Sequence, residues 1–480
     1  MPLSPRVLGL STALFGVLSC PAQEAGPWPR FRGPNGSGIA ETRGLPERFD
    51  GEDARHWRTP LPSGHSSPVL SRTAVFLTAE DDGALFTYAL SRQSGEVLWR
   101  SRAPRPRVGK RDGRNHAAAA TPVVGAGVVI VFFADYGMLA YDHDGLELWR
   151  LPLGPFDNVY GMGASPILLD DRVYLACDQS TGSFLLAADA KTGRELWRTP
   201  RPTARSGHCT PIVIPDDAGA PQLVLPGSFY LDGYDPGTGE RLWWVGGLSF
   251  EMKSVPAWHD GKIYINGYGS PLNQPGQQVD VPGFDETVEQ HDADGDGAIG
   301  KEEMPPSRAR GFFEFVDLEG DGTLGRADWD FLRASLASQN GMLAIEPGGR
   351  GDRTEEALVW AYRRSVPQLP SPLVYGDVLY MLNDQGGILV TLDPKTGDVR
   401  ERGRLKEAID SYYASPVAGD GKVYFVSEGG IVSVLPAGGS LEPLAVHDFG
   451  ESCYATPALA DGCLYLRSVD ALYCFSGRDG

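Results

Sequence analysis

The sequence predicts an all-β fold: an eight-bladed β-propeller of four-stranded blades, with a small helical insertion in the fifth blade. Three observations predict it. A Ser/Thr-Pro pair recurs about every 44 residues, each repeat contains four short apolar runs, and the last repeat lacks its fourth run. A closed ring of small sheets accounts for all three features, because it needs many short strands and a completed final blade.

The Ser/Thr-Pro pairs mark the start of each repeat. They are Ser67-Pro68, Thr121-Pro122, Ser165-Pro166, Thr210-Pro211, Ser371-Pro372, Ser415-Pro416 and Thr456-Pro457, with Val255-Pro256 as a variant. The interval between Val255 and Ser371 is about two and a half periods long. The sequence therefore predicts eight repeats and one insertion, which lies between the apolar runs 262–265 and 342–345.

The third repeat shows the four-strand pattern most clearly. Its apolar runs cover residues 165–169, 172–176, 184–188 and 194–198, and the turn before the last run is Asp-Ala-Lys-Thr-Gly at 189–193. Glycine at the end of this turn can adopt the positive φ that a tight hairpin with a bulge requires. Four short strands at this period are typical of a propeller blade.

Ring closure is also visible in the sequence. The last repeat stops after its third run at 471–475, while residues 56–62 near the N-terminus match the fourth-strand segment 196–202. We therefore expect the N-terminal strand to complete the last blade, which removes exposed sheet edges. Tryptophans at the equivalent fourth-strand position are expected to pack between blades: Trp99, Trp149, Trp197, Trp243 and Trp360.

Composition excludes several classes of protein. The 480 residues include 61 Gly and 38 Pro spread along the chain, which long helices do not tolerate. The formal net charge of −19 repels phosphate backbones, so nucleic acid is excluded as a partner. No apolar run after the N-terminal segment is long enough to span a membrane, so we expect no transmembrane segment.

The N-terminal segment has the layout of a secretory signal at residues 1–22. A single cation, Arg6, precedes an apolar run, and small residues end at Ala22. Two interpretations stay open: cleavage after Ala22, or acylation of Cys20 as a lipid tether. Either predicts an exported chain, periplasmic or attached to the cell envelope or secreted. Five cysteines then remain, and Cys463 and Cys474, on consecutive strands, form the expected pair.

The domain organisation follows from these features. The signal segment covers 1–22, an N-terminal extension 23–52, and the propeller 53–480, interrupted by an insertion at 283–338.

A recurring tryptophan motif resembles that of a known family. Ala187, Asp189, Thr192, Gly193 and Trp197 form the pattern Ala-x-Asp-x-x-Thr-Gly-x-x-x-Trp, and Gly233, Asp235, Thr238, Gly239 and Trp243 nearly repeat it. The pattern resembles the tryptophan-docking motif of quinoprotein-like propellers, over roughly residues 53–480. This resemblance implies eight blades, in a family that contains both pyrroloquinoline quinone (PQQ) dehydrogenases and cofactor-free outer-membrane assembly scaffolds. The segment 28–38 resembles the leader of exported members of this family.

The insertion contains a twelve-residue loop that matches the EF-hand calcium pattern. Its expected ligands are the side chains of Asp292, Asp294, Asp296 and Glu303 and the backbone carbonyl of Ala298. Carboxylates at these positions supply the hard oxygen ligands that Ca²⁺ requires, and Gly297 permits the sharp turn. The sequence therefore predicts a calcium site here.

A second loop follows and departs from the pattern. Its expected ligands are Asp317, Glu319, Asp321, Thr323 and Asp328. Aspartate replaces glutamate at the twelfth position, and its shorter side chain is less able to bind Ca²⁺ through both oxygens. We expect a weaker site that is more tolerant of Mg²⁺. Both a structural and a regulatory role for the metal stay open.

Polar residues precede most of the innermost strands and are expected to gather at one mouth of the central channel. Loops between blades and loops between second and third strands emerge on the same face of a four-stranded meander, so the calcium insertion should lie beside this mouth. The candidate ligand-binding residues are His65, His116, His208, Lys253, Tyr413, Tyr454, Asp178 and Asp384. Imidazoles, phenols, an amine and carboxylates that converge on a funnel form a polar binding site.

Two functions follow from these predictions. The first is an exported calcium-binding scaffold that binds a protein, peptide or glycan at the channel mouth. The alternative is a PQQ-dependent dehydrogenase that oxidises an alcohol or sugar. The sequence identifies no catalytic residue, and it lacks the adjacent cysteine pair of the family's alcohol dehydrogenases, so the scaffold is favoured.

Overall fold

A computed structural model of the chain describes residues 26–49, 55–270, 273–304 and 308–477. The expected signal segment and Cys20 lie outside these residues. Eight antiparallel sheets form the eight predicted blades around a central channel. Within the described residues, no helix combines the length and the apolarity needed to cross a membrane.

Five blades are continuous four-stranded meanders. Blade 1 contains Val69–Leu70, Ala74–Asp81, Ala84–Ser91 and Val97–Ala103. Blade 2 contains Val123–Gly125, Val128–Phe133, Gly137–Tyr141 and Glu147–Pro152, and blade 3 contains Ile167–Leu169, Arg172–Cys177, Phe184–Asp189 and Glu195–Pro200. Blade 6 contains Leu373–Tyr375, Val378–Leu382, Ile388–Leu392 and Val399–Arg404, and blade 7 contains Val417–Gly419, Lys422–Val426, Ile431–Pro436 and Ala445–Asp448. Their second and third strands are almost wholly buried and form the core between blades.

Blades 4 and 5 carry the additions to the basic pattern. Blade 4 contains Ile212–Pro215, Pro221–Pro226, Leu231–Tyr234 and Arg241–Val245, and a parallel fifth strand, Gly351–Asp352, extends it. Blade 5 contains Ala257–His259, Lys262–Gly267, Gly341–Ile345 and Leu358–Tyr362. The insertion leaves blade 5 between its second and third strands, as predicted.

The insertion is mostly helical. It contains α1 (Phe284–His291), a short strand Ile299–Gly300, a 3₁₀ turn Arg308–Phe312, α2 (Phe313–Val316), a second short strand Thr323–Leu324 and α3 (Arg326–Ala337). We call this segment, residues 283–338, the module. A further short helix, α4 (Thr354–Ala357), precedes the last strand of blade 5.

Blade 8 closes the ring with the two ends of the described chain. It contains Ala458–Ala460, Cys463–Arg467, Ala471–Ser476 and the N-terminal strand Arg55–Pro60. Pairing runs from Trp57 opposite Cys474 to Pro60 opposite Ala471. The predicted closure is confirmed, and each blade edge that an open ring would expose is covered.

The tryptophan motif works by docking each blade onto the next. The indole of Trp149 donates to the carbonyl of Ala190 at 2.9 Å and lies against Gly193, where a Cβ atom would approach the ring to 2.5 Å. Gly193 also has a φ of +70°, so two constraints select glycine there. The same donation to a turn carbonyl of the following blade is made by Trp57, Trp99, Trp197 and Trp360.

Trp243 differs from the other motif tryptophans. Its indole donates to Gln222 of its own blade at 2.7 Å, and its ring is fully buried against Gly233. The reason is local: the connection before the last strand of blade 5 is longer than the usual turn and folds back to add the fifth strand to blade 4. The hydrogen bond of this indole therefore stays within blade 4, while the ring belongs to a buried cluster that also includes Ile345 and Ala357 from blade 5 and its long connection.

The Ser/Thr-Pro pairs form a belt of hydrogen bonds around the channel. The hydroxyl oxygen at this position accepts the backbone N–H of the equivalent residue in the preceding blade, with N–O distances of 2.9–3.0 Å. The acceptors are Thr121, Ser165, Thr210, Ser371, Ser415, Thr456 and Ser67. Val255, which has no hydroxyl, interrupts the belt once. The belt explains why the repeat keeps a hydroxyl here.

Replacing Thr456 with valine is expected to lower the free energy of unfolding by about 1–3 kcal/mol. The substitution leaves the buried N–H of Ser415 without its acceptor while keeping the side-chain volume. Urea unfolding monitored by tryptophan fluorescence measures the change. Thr456→Ser keeps the hydroxyl and is the matched control. Equal unfolding midpoints for Thr456→Val and the wild type would contradict the role of the belt.

The segment that resembles a leader is the plug of the channel. The backbone carbonyl of Trp28 accepts the N–H of Leu70 in blade 1, and the carbonyl of Gly38 accepts the N–H of Ala418 in blade 7. Between these points Arg30 and Arg32 donate to the carbonyls of Pro211 and Pro372, at the innermost strands of blades 4 and 6. The segment therefore crosses the channel, and it contacts blades on opposite sides of the ring.

Both plug arginines are buried. Burial lowers the pKa of Arg30 to about 9, and burial together with the charge of Arg30 lowers that of Arg32 to about 9. Backbone carbonyls, rather than carboxylates, receive their hydrogen bonds among the described residues. The guanidiniums thus bind the plug to the inner strands through neutral acceptors.

The five cysteines within the described ranges carry free thiols. Cys463 and Cys474 lie on adjacent strands of blade 8, one diagonal step apart on the same face. A hydrogen bond from Cys474 lowers the pKa of Cys463 to about 7. The two thiols are therefore neighbours, as expected from the sequence, but they are not bonded, and a disulfide between them stays a prediction.

Candidate functional site

A cavity of about 410 Å³ occupies one mouth of the channel. Phe31 of the plug lies at its floor, and the hydroxyl belt surrounds it. The walls come from the connections between blades, which carry the residues that precede each innermost strand. Because the plug covers one end, the cavity is a cup rather than an open pore. We call it the mouth cavity.

Five of the eight predicted ligand-binding residues line the mouth cavity: His65, His208, Lys253, Tyr413 and Tyr454. His116 lies beside them, with its ring centroid 4.9 Å from that of His65, and lines a smaller neighbouring pocket. The structure therefore brings together side chains from blades that are far apart in the sequence. Whether they bind a ligand stays a prediction.

Aromatic rings form a continuous row along one side of the cavity. His65 stacks on Tyr454 at 4.0 Å with an interplanar angle of 15°, and Tyr454 contacts Tyr413 at 5.1 Å. On the other side, Tyr160 meets His208 edge to face. These rings present flat apolar faces with polar atoms at their edges, a combination that suits peptide and sugar ligands alike.

Burial keeps these rings uncharged near neutral pH. Burial lowers the pKa of His65 to about 3, with a further contribution from the positive charge that His116 would carry. The pKa of His208 is also lowered to about 3, by burial and by Lys253. Burial raises the pKa of Tyr454 to about 12. The cavity therefore offers neutral hydrogen-bonding groups at physiological pH.

The charged groups of the mouth cavity are paired with each other. Lys253 binds Glu251 at 3.0 Å and lies over the ring of Tyr160. Arg114 binds Asp112 at 2.7 Å, and its hydrogen bonds lower the pKa of this carboxyl to about 2. Lys253 and Arg114 are thus each paired with a carboxylate, and the cavity walls are polar without a strong excess of charge.

Asp178 and Asp384 lie outside the cavity lining. The carboxylate of Asp384 accepts the backbone N–H of Gln368 at 2.9 Å and so holds a loop that reaches the cavity. Asp178 is buried and accepts two hydrogen bonds from Arg201, at 2.9 and 3.2 Å. Burial raises the pKa of Asp178, and the charge of Arg201 opposes this shift. Both carboxylates make contacts that position the loops around the mouth.

Arg201 is the centre of a buried ion-pair network between blades 3 and 4. Besides Asp178 it binds Asp232 at 3.0 Å and the hydroxyl of Tyr234. Asp232 in turn binds Arg241 at 2.6 Å. Arg201, Asp178 and Asp232 are each at least 95% buried, so their charges are compensated within the protein rather than by water.

The first loop of the module brings three carboxylates together. One carboxylate oxygen from each of Asp292, Asp294 and Asp296 lies within 4.8 Å of the others. Glu303 folds back and accepts the backbone N–H groups of Ala293 and Gly300. These hydrogen bonds lower the pKa of Glu303. The loop therefore holds three carboxylates close together, with Glu303 folded back onto the same loop, an arrangement that suits a divalent cation.

The second loop is more buried than the first. Asp317 accepts the N–H groups of Gly320 and Gly322, and Asp328 accepts those of Leu318 and Gly325. Burial and the neighbouring Asp328 raise the pKa of Glu319, as expected for two carboxylates that share a site. A cation between them would remove this repulsion.

The two loops pair through their eighth positions. Ile299 and Leu324 lie opposite each other in a short antiparallel ladder. Their side chains are fully buried in a core that includes Trp329 and Phe331. The two loops are therefore joined by a short ladder and share one core.

The module packs on the same face as the mouth cavity. Phe331 contacts Phe229, in the loop between the second and third strands of blade 4, at a centroid distance of 5.2 Å. Phe315 contacts Phe250, which lies three residues before Lys253 of the mouth cavity. Arg205, in the connection before blade 4, donates to the carbonyl of Phe315. The predicted position of the module beside the mouth agrees with these contacts.

A basic loop at the mouth was missed at the level of sequence. Residues 104–116 contain five cations, Arg105, Arg107, Lys110, Arg111 and Arg114, and one acid, Asp112. This excess stands out in a chain of net charge −19, and that contrast is the signal that could have revealed it. Asp112 and Arg114 of this loop line the mouth cavity, whereas Arg107, Lys110 and Arg111 line the smaller pocket beside it.

Comparison with known proteins identifies the family. A family model described as outer membrane protein assembly factor BamB matches residues 47–218 and 328–480, more than half of the chain. The chain belongs to the BamB family. The gap in the match, residues 219–327, contains most of blade 4, the first two strands of blade 5 and most of the module. Comparison with curated proteins found no match.

Solved structures similar to this BamB-family chain share its fold. BamB from Moraxella catarrhalis is 12% identical, with a TM-score of 0.55 over 89% of this chain and 98% of that one. A europium-containing methanol dehydrogenase is 11% identical, with a TM-score of 0.55 over 95% and 99% of the two chains. The computationally designed Ika8 protein is 11% identical, with a TM-score of 0.52 over 87% and 98%. At these identities the likeness shows a PQQ-like propeller fold alone.

The mouth cavity is a poor match for PQQ. The cofactor works with a cation against its quinone oxygens, and such a cation needs several oxygen ligands. Among the described residues that line the cavity, Asp112 alone has a carboxylate, and Arg114 already binds it. The donor set therefore does not fit a quinone with its cation, and the dehydrogenase alternative gains no support from this cavity.

Proposed function

We propose that this BamB-family chain is an exported, calcium-loaded scaffold that binds a segment of a partner protein in its mouth cavity. The observation that carries the proposal is the convergence of His65, His208, Lys253, Tyr413 and Tyr454 on one closed-floor cavity of about 410 Å³. This volume accommodates a few side chains or a short loop. A cup lined by neutral rings and paired charges provides hydrogen bonds and stacking faces without a reactive group.

Exposed aliphatic side chains on the same face support a protein partner. Val108, Val159 and Ile409 lie in connections between blades and are 72%, 68% and 70% exposed. Apolar residues that surround a polar cavity are typical of protein-binding surfaces, whereas a sugar would leave them in water. The description of the family as an assembly factor for outer membrane proteins also favours a protein or peptide over a glycan.

Calcium binds the module in this proposal. Asp292, Asp294, Asp296 and Glu303, with the carbonyl of Ala298, hold the first ion, and Asp317, Glu319, Asp321, Thr323 and Asp328 hold a weaker second one. The ions offset the charge of the clustered carboxylates and stabilise the module against blade 4. Their role is structural, because the module core that packs against Phe229 depends on the loop geometry they maintain.

Export also belongs to the proposal. The signal-like segment 1–22 and the family's link to outer membrane proteins support a periplasmic or envelope location, with Cys20 as an optional lipid tether.

Selection from a random peptide library in the presence of Ca²⁺ tests the binding function. We expect selected peptides to lose at least about tenfold in affinity when Tyr413 and Tyr454 are both replaced by alanine, because stacked rings supply much of the contact area. Trp244→Ala is the aromatic control, since this ring lies under Arg241 on the fourth strand of blade 4, outside the cavity lining. Peptides that bind the double variant as tightly as the wild type would contradict the proposal.

A further inference from the structure

A small pocket beside the mouth cavity concentrates positive charge. It has a volume of about 40 Å³, and its lining includes Arg107, Lys110, Arg111 and Asp135. Asp135 is 2% exposed, and its carboxylate already accepts hydrogen bonds. The donors are Arg105 at 2.9 Å, the N–H of Gly109 at 2.8 Å and Arg111 at 3.5 Å. These hydrogen bonds hold the basic loop, residues 104–116, against the buried Asp135.

The positive charge of this pocket exceeds the negative charge around it. Arg105 is shared between Glu80 and Asp135. Arg107 donates to the backbone carbonyls of Tyr136 and Leu153, and its buried Nε has no acceptor among the described residues. Lys110 is exposed and forms no ion pair within the same part of the chain. Four cations thus face two carboxylates, and at least one guanidinium N–H lacks an acceptor.

We propose that this pocket binds a carboxylate of an acidic, partly aliphatic segment of the partner protein. The inference rests on the proposed function and specifies the chemistry of its ligand. A carboxylate supplies a charged partner for Lys110 and for Arg107, whose hydrogen bonds otherwise go to backbone carbonyls, and a second partner for Arg111. Its size matches a pocket of about 40 Å³. The wider field of the basic loop attracts acidic segments to the mouth.

The neighbouring aliphatic residues favour a peptide over an acidic glycan. Val108 lies within the basic loop, between Arg107 and Lys110, and is 72% exposed. The second wall of the pocket comes from the connection 153–166, which carries the exposed Val159. The pocket is thus flanked by apolar side chains on both loops. A segment that alternates acidic and aliphatic residues satisfies both features, whereas a uronic acid polymer satisfies only the charge.

Fluorescence anisotropy with a defined peptide tests the inference. The probe is a hexapeptide of alternating valine and glutamate with an N-terminal fluorescein, and the comparison peptide has glutamine for glutamate and an amidated C-terminus. We expect the acidic peptide to bind at least about tenfold more tightly, with an affinity that falls as salt is raised. The acidic peptide with an amidated C-terminus separates side-chain carboxylates from the terminal one.

Variants of the pocket complete the test. The double variant Lys110→Gln/Arg111→Gln is expected to weaken binding of the acidic peptide about tenfold. The single substitution Lys110→Glu, at an exposed position, is expected to weaken it at least as much. Arg102→Gln is the control: it removes one arginine from the outer strand of blade 1 and should leave the affinity for the acidic peptide unchanged. Equal affinity for the two peptides, or no effect of either pocket variant, would overturn the inference. Competition by an oligogalacturonate as effective as the peptide would overturn the choice of a peptide.

The two proposals can fail separately. If peptides from the library need Tyr413 and Tyr454 but bind Lys110→Gln/Arg111→Gln normally, the mouth cavity is a binding site and the carboxylate pocket is not. If the acidic peptide needs the pocket cations but not the tyrosines, the carboxylate site stands and the mouth-cavity proposal fails.

Discussion

Replacing Arg201 with methionine is expected to lower the free energy of unfolding by about 3–5 kcal/mol. The substitution leaves Asp178 buried without a cation and removes one of the two cations that bind Asp232. Methionine keeps most of the apolar stem, so the loss reports chiefly the missing guanidinium, with its charge and its hydrogen bonds to Asp178, Asp232 and Tyr234. Urea unfolding at pH 7 measures the shift in midpoint. The size of this shift depends on pH, because the buried carboxylate of Asp178 can take up a proton.

The cost of the change falls on Asp178 because its carboxylate has few alternatives. Burial already raises the pKa of this group, and without Arg201 it would take up a proton more readily. The double variant Arg201→Met/Asp178→Asn removes both charges, and we expect it to recover part of the loss. An unfolding midpoint of Arg201→Met equal to that of the wild type would show that the network contributes nothing to stability.

Replacing Asp292 and Glu303 with alanine is expected to weaken calcium binding at the first loop by at least about 100-fold. These positions supply the first and last carboxylates of the loop, and Asp292 also accepts the N–H groups of Gly295 and Gly297 that shape it. Isothermal titration should show two ions bound to the wild type and one, weaker, ion bound to the double variant.

A neighbouring acid provides the control for calcium binding. Glu302 is exposed and forms an ion pair with Arg310. It is not one of the predicted calcium ligands. Glu302→Ala removes one carboxylate from the same loop and should leave both ions bound with nearly unchanged affinity. A double variant at Asp292 and Glu303 that still binds two ions would exclude the first loop as the metal site. Calcium should also raise the melting temperature of the wild type more than that of the double variant.

Much of the fold was predictable because repeats record the same contacts several times. Gly193 beneath Trp149 and the turn that positions it recur in other blades, so one sequence pattern reports one packing rule. Ring closure was predictable for the same reason, since the strand around Trp57 copies the strand around Trp197. The position of the module followed from the point at which it leaves blade 5.

Features that occur once in the chain were not predictable in this way. The plug at Arg30 and Arg32 has no counterpart in the repeats, and its hydrogen bonds to Pro211 and Pro372 span 181 and 340 residues of sequence. The fifth strand of blade 4 depends on a single long connection. The pocket proposed to bind a carboxylate forms where two connections meet in space, around Asp135. In the sequence, its one sign is the excess of cations at 105–114.

A hydrogen-exchange footprint of the whole chain, measured with and without a selected peptide in the presence of Ca²⁺, tests whether the mouth cavity is the binding site. Binding in the mouth cavity predicts slower exchange in the connections between blades that line it, at 61–67, 104–121, 153–165, 201–210, 246–255, 363–371, 405–415 and 449–456. It also predicts unchanged exchange in the hairpin turns of the opposite face, such as 190–194 and 394–398. Protection confined to those turns, or to the outer strands, would contradict binding in the mouth cavity.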